Sequence, residues 1–185
     1  KELLIVGESK ETIIIDGSGA GTVVTIQADN VRFQGFTVRN GGQKYSGIRA
    51  NSYSYLVISD NAVKNSKYGV VLLNSLSNTL LGNVLFNNSV AGITLSQSVD
   101  NNISNNNVSE SAYGIKLSSS NTTFVVGNTV SSNSYGIYIE YSWNDTVDKN
   151  NLLNNQVDGI FPAYSSSIIV KNNVITESAY GIQLY

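Results

Sequence analysis

Lys116, Tyr138 and Glu140 are an ammonium, a phenol and a carboxylate at outward positions, two or four past the glycine, of neighbouring sequence repeats, so the fold would bring them together on one surface. With Tyr138, Phe161, Tyr141 and Tyr164 make a cluster of aromatic faces on two successive repeats. Aromatic rings flanked by charged and amide groups suit sugars, whose C–H faces stack on rings while their hydroxyls take hydrogen bonds. The plainer reading of the same six residues is a set of exposed strand positions with one weak surface ion pair.

Acid–base chemistry has less to build on. Paired catalytic carboxylates stand ~5 to 9.5 Å apart, and the nearest repeat-aligned pair, Asp100 and Asp145, is two repeats apart, or about 10 Å. Nothing in the sequence gives either group a reason to titrate abnormally. The chain has no His, Cys or Met. That removes imidazole bases, thiolates, disulfides and the soft ligands of copper or zinc, so neither a metal site nor a cofactor is expected.

Composition narrows the partners. Charged residues are 13% of the 185, about half the usual ~25%, and 25 asparagines stand in their place. A net charge of -2 with a pI near 5.0 and only 11 scattered Lys and Arg argue against nucleic acid, because phosphate binding needs clustered cations. No run approaches the ~18 apolar residues of a membrane helix, so membrane insertion is not expected.

The elements that must position these residues follow from a repeat. Gly-Ile or Gly-Val recurs at Gly47, Gly69, Gly92, Gly114, Gly136, Gly159 and Gly181, at intervals of 22 or 23 residues. At the eleventh position after each of the first six glycines stand Ile58, Leu80, Ile103, Val125, Val147 and Val170. At the fourteenth stand Asn61, Asn83, Asn106, Asn128, Asn150 and Asn173, and Ser75, Ser98, Ser120, Ser142 and Ser165 form a further column. Each repeat contains three short, alternating, β-branched runs separated by Asn, Ser and Gly, which is the pattern of strands. One such turn cannot cover its own apolar face, but stacked turns can.

The expected fold is therefore all-β: a single-stranded parallel β-helix of about 22 residues per rung with three parallel sheets, right-handed by the usual preference of parallel crossovers. The asparagine column is expected to stack as a hydrogen-bonded corner ladder in left-handed backbone. The glycine before the first strand marks a corner that excludes a Cβ or has positive φ. Tyr68, Tyr113, Tyr135 and Tyr180, each just before a glycine, form a column expected to bury ring faces between rungs. The extra residue of the 23-residue rungs falls within Phe86 to Ala91 and Asn154 to Asp158.

One domain over residues 1–185 is expected: partial and longer rungs over 1–46, with an insert at Gly41 to Lys44, then regular rungs over 47–185. The last strand begins at Gly181, four residues before Tyr185. The expectation is of a fragment of a larger protein whose bare terminal rungs self-associate end to end, burying Ile182, Leu184 and Tyr185.

The segment Thr12-Ile-Ile-Ile-Asp-Gly-Ser-Gly, then Asn30-Val-Arg-Phe-Gln-Gly-Phe-Thr-Val and the Asn-x-Val and Gly-Ile rungs, resembles the right-handed parallel β-helix repeat family. Within that pectate-lyase-like superfold it is similar to NosD-type proteins and related archaeal and bacterial surface proteins. The resemblance implies a solenoid, and the superfold hosts lyases, hydrolases, epimerases, tailspikes, adhesins and scaffolds. NosD proteins are associated with copper-centre maturation, yet the copper-type ligands are missing. The histidine-containing motifs of galacturonan hydrolases and alginate-type epimerases have no counterpart, and neither does the carboxylate cluster with which pectate lyases hold calcium.

Two functions follow. The first is a non-catalytic module of a secreted or cell-surface protein, with the periplasm as the other compartment, serving as a rigid scaffold or contacting a polysaccharide or surface glycan. The second is a polysaccharide lyase, hydrolase or epimerase acting on the exposed sheet face through Glu140, Lys116 and Tyr138. Sequons at Asn87, Asn102, Asn107, Asn121 and Asn144 permit glycosylation without implying it, since so Asn- and Ser-rich a chain produces them by composition.

Overall fold

A computed structural model describes residues 2–185, and among these the secondary structure is all β. The chain winds as a parallel β-helix. One representative turn contains the strands Asn102–Ser104, Asn107–Ser109 and Tyr113–Ser118, and each pairs in parallel with its equivalent one turn on: Phe124–Val126, Thr129–Ser131 and Tyr135–Glu140. Repetition gives three strand columns. The first is a separate sheet of eight strands, running from Leu3–Val6 to Ile169–Lys171. The other two columns merge into one sheet of fourteen, because the long strands Thr37–Asn51 and Ala62–Leu73 run through the corner between them.

The core is a stack of aliphatic layers contributed once per strand per turn. Ile93, Leu95, Ile103, Val108, Ile115, Leu117, Val125 and Val130 are all fully buried. Phe33 and Phe36 stack with ring centroids 4.6 Å apart inside the longer early turn, where the strand register slips twice between Arg39 and Ser46. The glycines ahead of the third column serve close packing only, since their φ values are not positive. A Cβ on Gly114 would stand 2.7 Å from the Gly136 carbonyl oxygen.

Left-handed backbone occurs elsewhere than expected. The ladder asparagines do not adopt it; the residue before each one does, namely Asp60, Gly82, Asn105, Gly127, Lys149 and Asn172. The same step recurs at four corners per turn. In the turn around Asn106 these are Gln97, Asp100, Asn105 and Glu110, with φ between 51° and 57°. Each left-handed residue throws the next side chain inward, and those inward residues form four polar ladders instead of one.

In the asparagine ladder, Asn128 Oδ1 accepts from both the backbone N–H and the side-chain amide of Asn106, at 2.9 and 3.0 Å, while Asn106 Nδ2 also donates to the Leu80 carbonyl. The serine ladder runs from Ser75 to Ser165, each hydroxyl accepting the backbone N–H of the serine one turn earlier. A third column links Ser66 to Asn88, and separately Ser111 to Asn133 and Asn133 to Asn155. The fourth column links Asn78 to Asn101, and separately Thr123 to Asp145. Each of these bonds satisfies a buried backbone donor that would otherwise cost ~1–3 kcal/mol. Inward amides and left-handed corners also account for the wealth of asparagine, the residue that tolerates both.

Candidate functional site

The third strand column carries the most concentrated chemistry on its outward side. Lys116, Tyr138 and Phe161 occupy one register line over three successive turns, and Ser118, Glu140 and Ala163 the next outward line. Alternation along Tyr113–Ser118 and Tyr135–Glu140 places Ile115, Leu117, Ile137 and Ile139 in the core and leaves Lys116, Ser118, Tyr138 and Glu140 half-buried on the surface, while Ala163 is buried. Lys116 Nζ lies 3.0 Å from Glu140 Oε1, and also 5.0 and 5.2 Å from the ring centroids of Tyr113 and Tyr138. Tyr138 is edge-on to Tyr113, Tyr135 and Phe161 at 5.1, 5.7 and 5.4 Å.

Electrostatics hold this patch in one protonation state. Partial burial pushes the Glu140 carboxyl up, but hydrogen bonds from Lys116 and Ser118 and the lysine charge outweigh it, so its pKa is below the usual carboxylate value. Desolvation first, and then the adjacent Glu140 carboxylate, push the Tyr138 phenol up to about 12. Around neutral pH the pair is therefore a fixed carboxylate and a fixed hydroxyl. A general acid or base works best with a pKa near the operating pH, and neither group is so placed.

Tyr141 and Tyr164 do not join the patch as one cluster. The strand ends at Glu140, and Tyr141 and Tyr164 both take the left-handed corner. They form a separate parallel stack, centroids 5.2 Å apart, with Tyr185 edge-on to Tyr164 at 5.0 Å. Conversely, Tyr113 and Tyr135 belong to the patch as well as stacking on each other at 5.2 Å. Their column is interrupted where the turn has 23 residues: Ala91 and Asp158 take the tyrosine place and are buried.

Asp158 was not among the candidates, although its place in the tyrosine column is visible once the repeats are aligned. Between Tyr135 and Tyr180 in register, it is 1% exposed. Neither carboxylate oxygen has a hydrogen-bond partner, and desolvation raises its pKa. Asp145 departs from expectation too. It points into the core as the last polar member of the fourth ladder, accepting from Thr123 N–H at 2.8 Å, and burial pushes it up to about 7. Asp100 instead takes the left-handed corner and accepts a hydrogen bond from the Ser77 hydroxyl. The two carboxylates do not form a pair.

The family model described as periplasmic copper-binding protein (NosD) matches residues 5–158 and 110–185. Among solved structures, a variant of the periplasmic alginate epimerase AlgG superposes with a TM-score of 0.70 at 20% identity, over 89% of this chain and 46% of that one. The enzymatically active domain of tailspike protein 2 of bacteriophage CBA120 gives 0.60 at 13% identity, over 99% of this chain and 41% of that one. These likenesses are of fold. The chain spans less than half the length of either structure. No curated protein matches significantly.

The copper in the family's description can be tested against the donors present. Copper sites are built from imidazole, thiolate and thioether groups, and this sequence has no His, Cys or Met. Among the described residues no three carboxylates converge to replace them. The side chains of these 185 residues do not fit a copper centre.

Proposed function

The chain belongs to the NosD family, and from that premise we propose that it is a β-helix module that presents a rigid saccharide-contacting face without turning the saccharide over. One observation carries the reading: the outward patch of Tyr113, Tyr138 and Phe161 around the Lys116–Glu140 pair. It combines apolar ring faces with hydrogen-bonding groups of fixed charge, the chemistry of sugar recognition. The phenol at about 12 and the carboxyl held below its usual range favour binding over proton transfer. Tyr141 and Tyr164 offer a second stacking surface around the corner from it. The alginate epimerase that shares the fold is in keeping with a saccharide ligand, and the family description with a periplasmic place; an extracellular one suits the same chemistry.

Rigidity follows from the fold. Each turn is held by parallel strand pairing and four internal ladders, so positions on the face keep a fixed spacing of ~4.8 Å per turn. The test is incubation with a panel of acidic and neutral polysaccharides, following bound ligand, new reducing ends and unsaturated-uronate absorbance together. Binding without either product is the expected outcome. Turnover abolished by Glu140→Gln would instead establish the lyase, hydrolase or epimerase reading.

A further inference from the structure

The early turn breaks the regularity of the solenoid, and the break builds a concavity. Thr37–Asn51 is a 15-residue strand paired with Ala62–Leu73, and its register slips between Arg39 and Gly42 and again between Gly42 and Ser46. Gly42 sits at φ 83°, which a side chain would strain, and a Cβ there would meet the Gly19 carbonyl oxygen at 3.0 Å. A bulge of this kind re-aims the side chains beside it. Lys44 and Tyr45 become one wall of a cavity of about 250 Å³, with Arg49, Tyr68, Val71 and Leu73 among the residues that line it.

Three features of this cavity point to a ligand. Lys44 and Arg49 contribute two cations, and among the described residues neither is in an ion pair, unlike Arg32, Arg39 and Lys116. Two tyrosines provide ring faces, and Val71 and Leu73 an apolar surface. Finally, Arg49 lies on the same register line as Val71, Thr94 and Lys116, so the cavity opens onto the outward face that carries the aromatic patch, three turns or ~14 Å away.

We infer that this cavity is a subsite for an acidic sugar ring, its carboxylate or sulfate held by Arg49 and Lys44 and its C–H face against Tyr45 or Tyr68. Guanidinium groups grip such anions through two parallel hydrogen bonds, and the volume suits one ring better than a larger ligand. The inference rests on the reading of this face as a saccharide platform, to which it adds charge selectivity. A chain bound along the axis would meet cations at one end and the Tyr138–Phe161 patch at the other.

The test titrates an oligogalacturonate, a sulfated galacto-oligosaccharide and a neutral galacto-oligosaccharide of matched length into the folded 185-residue protein by calorimetry. Variants are Lys44→Gln with Arg49→Gln, and separately Tyr138→Ala with Phe161→Ala. At least one acidic ligand is expected to bind ~10-fold or more tighter than the neutral one, the scale of a hydrogen bond to a charged group, with an advantage that shrinks as salt rises. The Lys44/Arg49 variant should lose that advantage while keeping neutral binding within about 2-fold, which also shows that it is folded. Comparing the two acidic ligands decides between carboxylate and sulfate. An acidic preference surviving in the Lys44/Arg49 variant, or no preference in the wild type, overturns the subsite; neutral binding that still depends on Tyr138 and Phe161 would leave the platform standing. Absence of binding by all three ligands overturns both.

Discussion

Lys116 Nζ and Glu140 Oε1 lie 3.0 Å apart across adjacent turns, and this contact couples the charge of the outward face to Tyr138, which is in register with Lys116 and two residues before Glu140. The Glu140 carboxylate helps to push Tyr138 up to about 12, after desolvation. Glu140→Gln should therefore lower the Tyr138 pKa part of the way toward 10.0, seen as one tyrosinate appearing earlier in an ultraviolet pH titration. Stability should change by only about 1 kcal/mol, the scale of a partly exposed pair. An unchanged titration would show that burial alone sets the phenol.

Asn106→Leu should destabilise the protein by about 1 to 3 kcal/mol. The substitution removes the acceptor of the Asn83 backbone N–H and side-chain amide, both at 3.0 Å, and the amide that serves the Leu80 carbonyl. Chemical denaturation of the two proteins measures the difference, and equal midpoints would show that the ladder contributes nothing net.

Asp145 gives the stability a pH dependence of known sign. Its carboxyl is raised from 3.8 to about 7 in the folded chain, so folding favours the protonated form. The stabilisation is complete below about pH 4 and is lost as pH rises through about 7, on the order of 4 kcal/mol in all. Asp145→Asn should remove that dependence and raise stability at pH 8, because an amide there repeats Asn78 and Asn101 in the same ladder. A wild-type-like slope between pH 4 and 7 in the variant would assign it to other groups, Asp158 first among them.

The period, the strand columns and the buried aliphatic layers were legible because each rests on a single residue class recurring at one spacing. Left-handed corners were not, since the requirement falls on the backbone and is met here by residues as different as Tyr141, Lys149, Thr122 and Asn105. Asp145 was hidden for a related reason: its ladder reads Asn78, Asn101, Thr123, Asp145, a column of mixed types joined only by geometry. The corner at Tyr141 also separates the aromatic group that alignment alone had placed together. Lys44 ends the insert and Tyr45 follows it directly, where repeat alignment has no register to offer.

Both ends of the described chain expose core cross-section: Leu3 and Val6 are 52% and 50% exposed, Leu184 and Tyr185 77% and 73%. Unpaired strand edges and exposed apolar layers of this kind are templates for association. The 185-residue polypeptide is expected to associate with rising concentration in light scattering, and Ile182→Lys with Leu184→Lys to shift it toward monomer while the central turns stay folded. A monomer at all concentrations, with no effect of the substitutions, would contradict this.

Saccharide binding at the Tyr138–Phe161 patch is the central property of the proposed module. Intrinsic fluorescence and calorimetric titration of the wild type against Tyr138→Ala with Phe161→Ala, using whichever polysaccharide of the panel binds, measure it. Loss of two stacking faces is predicted to weaken binding by ~10-fold or more, at ~0.5–1.5 kcal/mol per aromatic contact beyond its buried area, with no product formed by either protein. Equal affinity in the two proteins, or new reducing ends produced by the wild type, would contradict it.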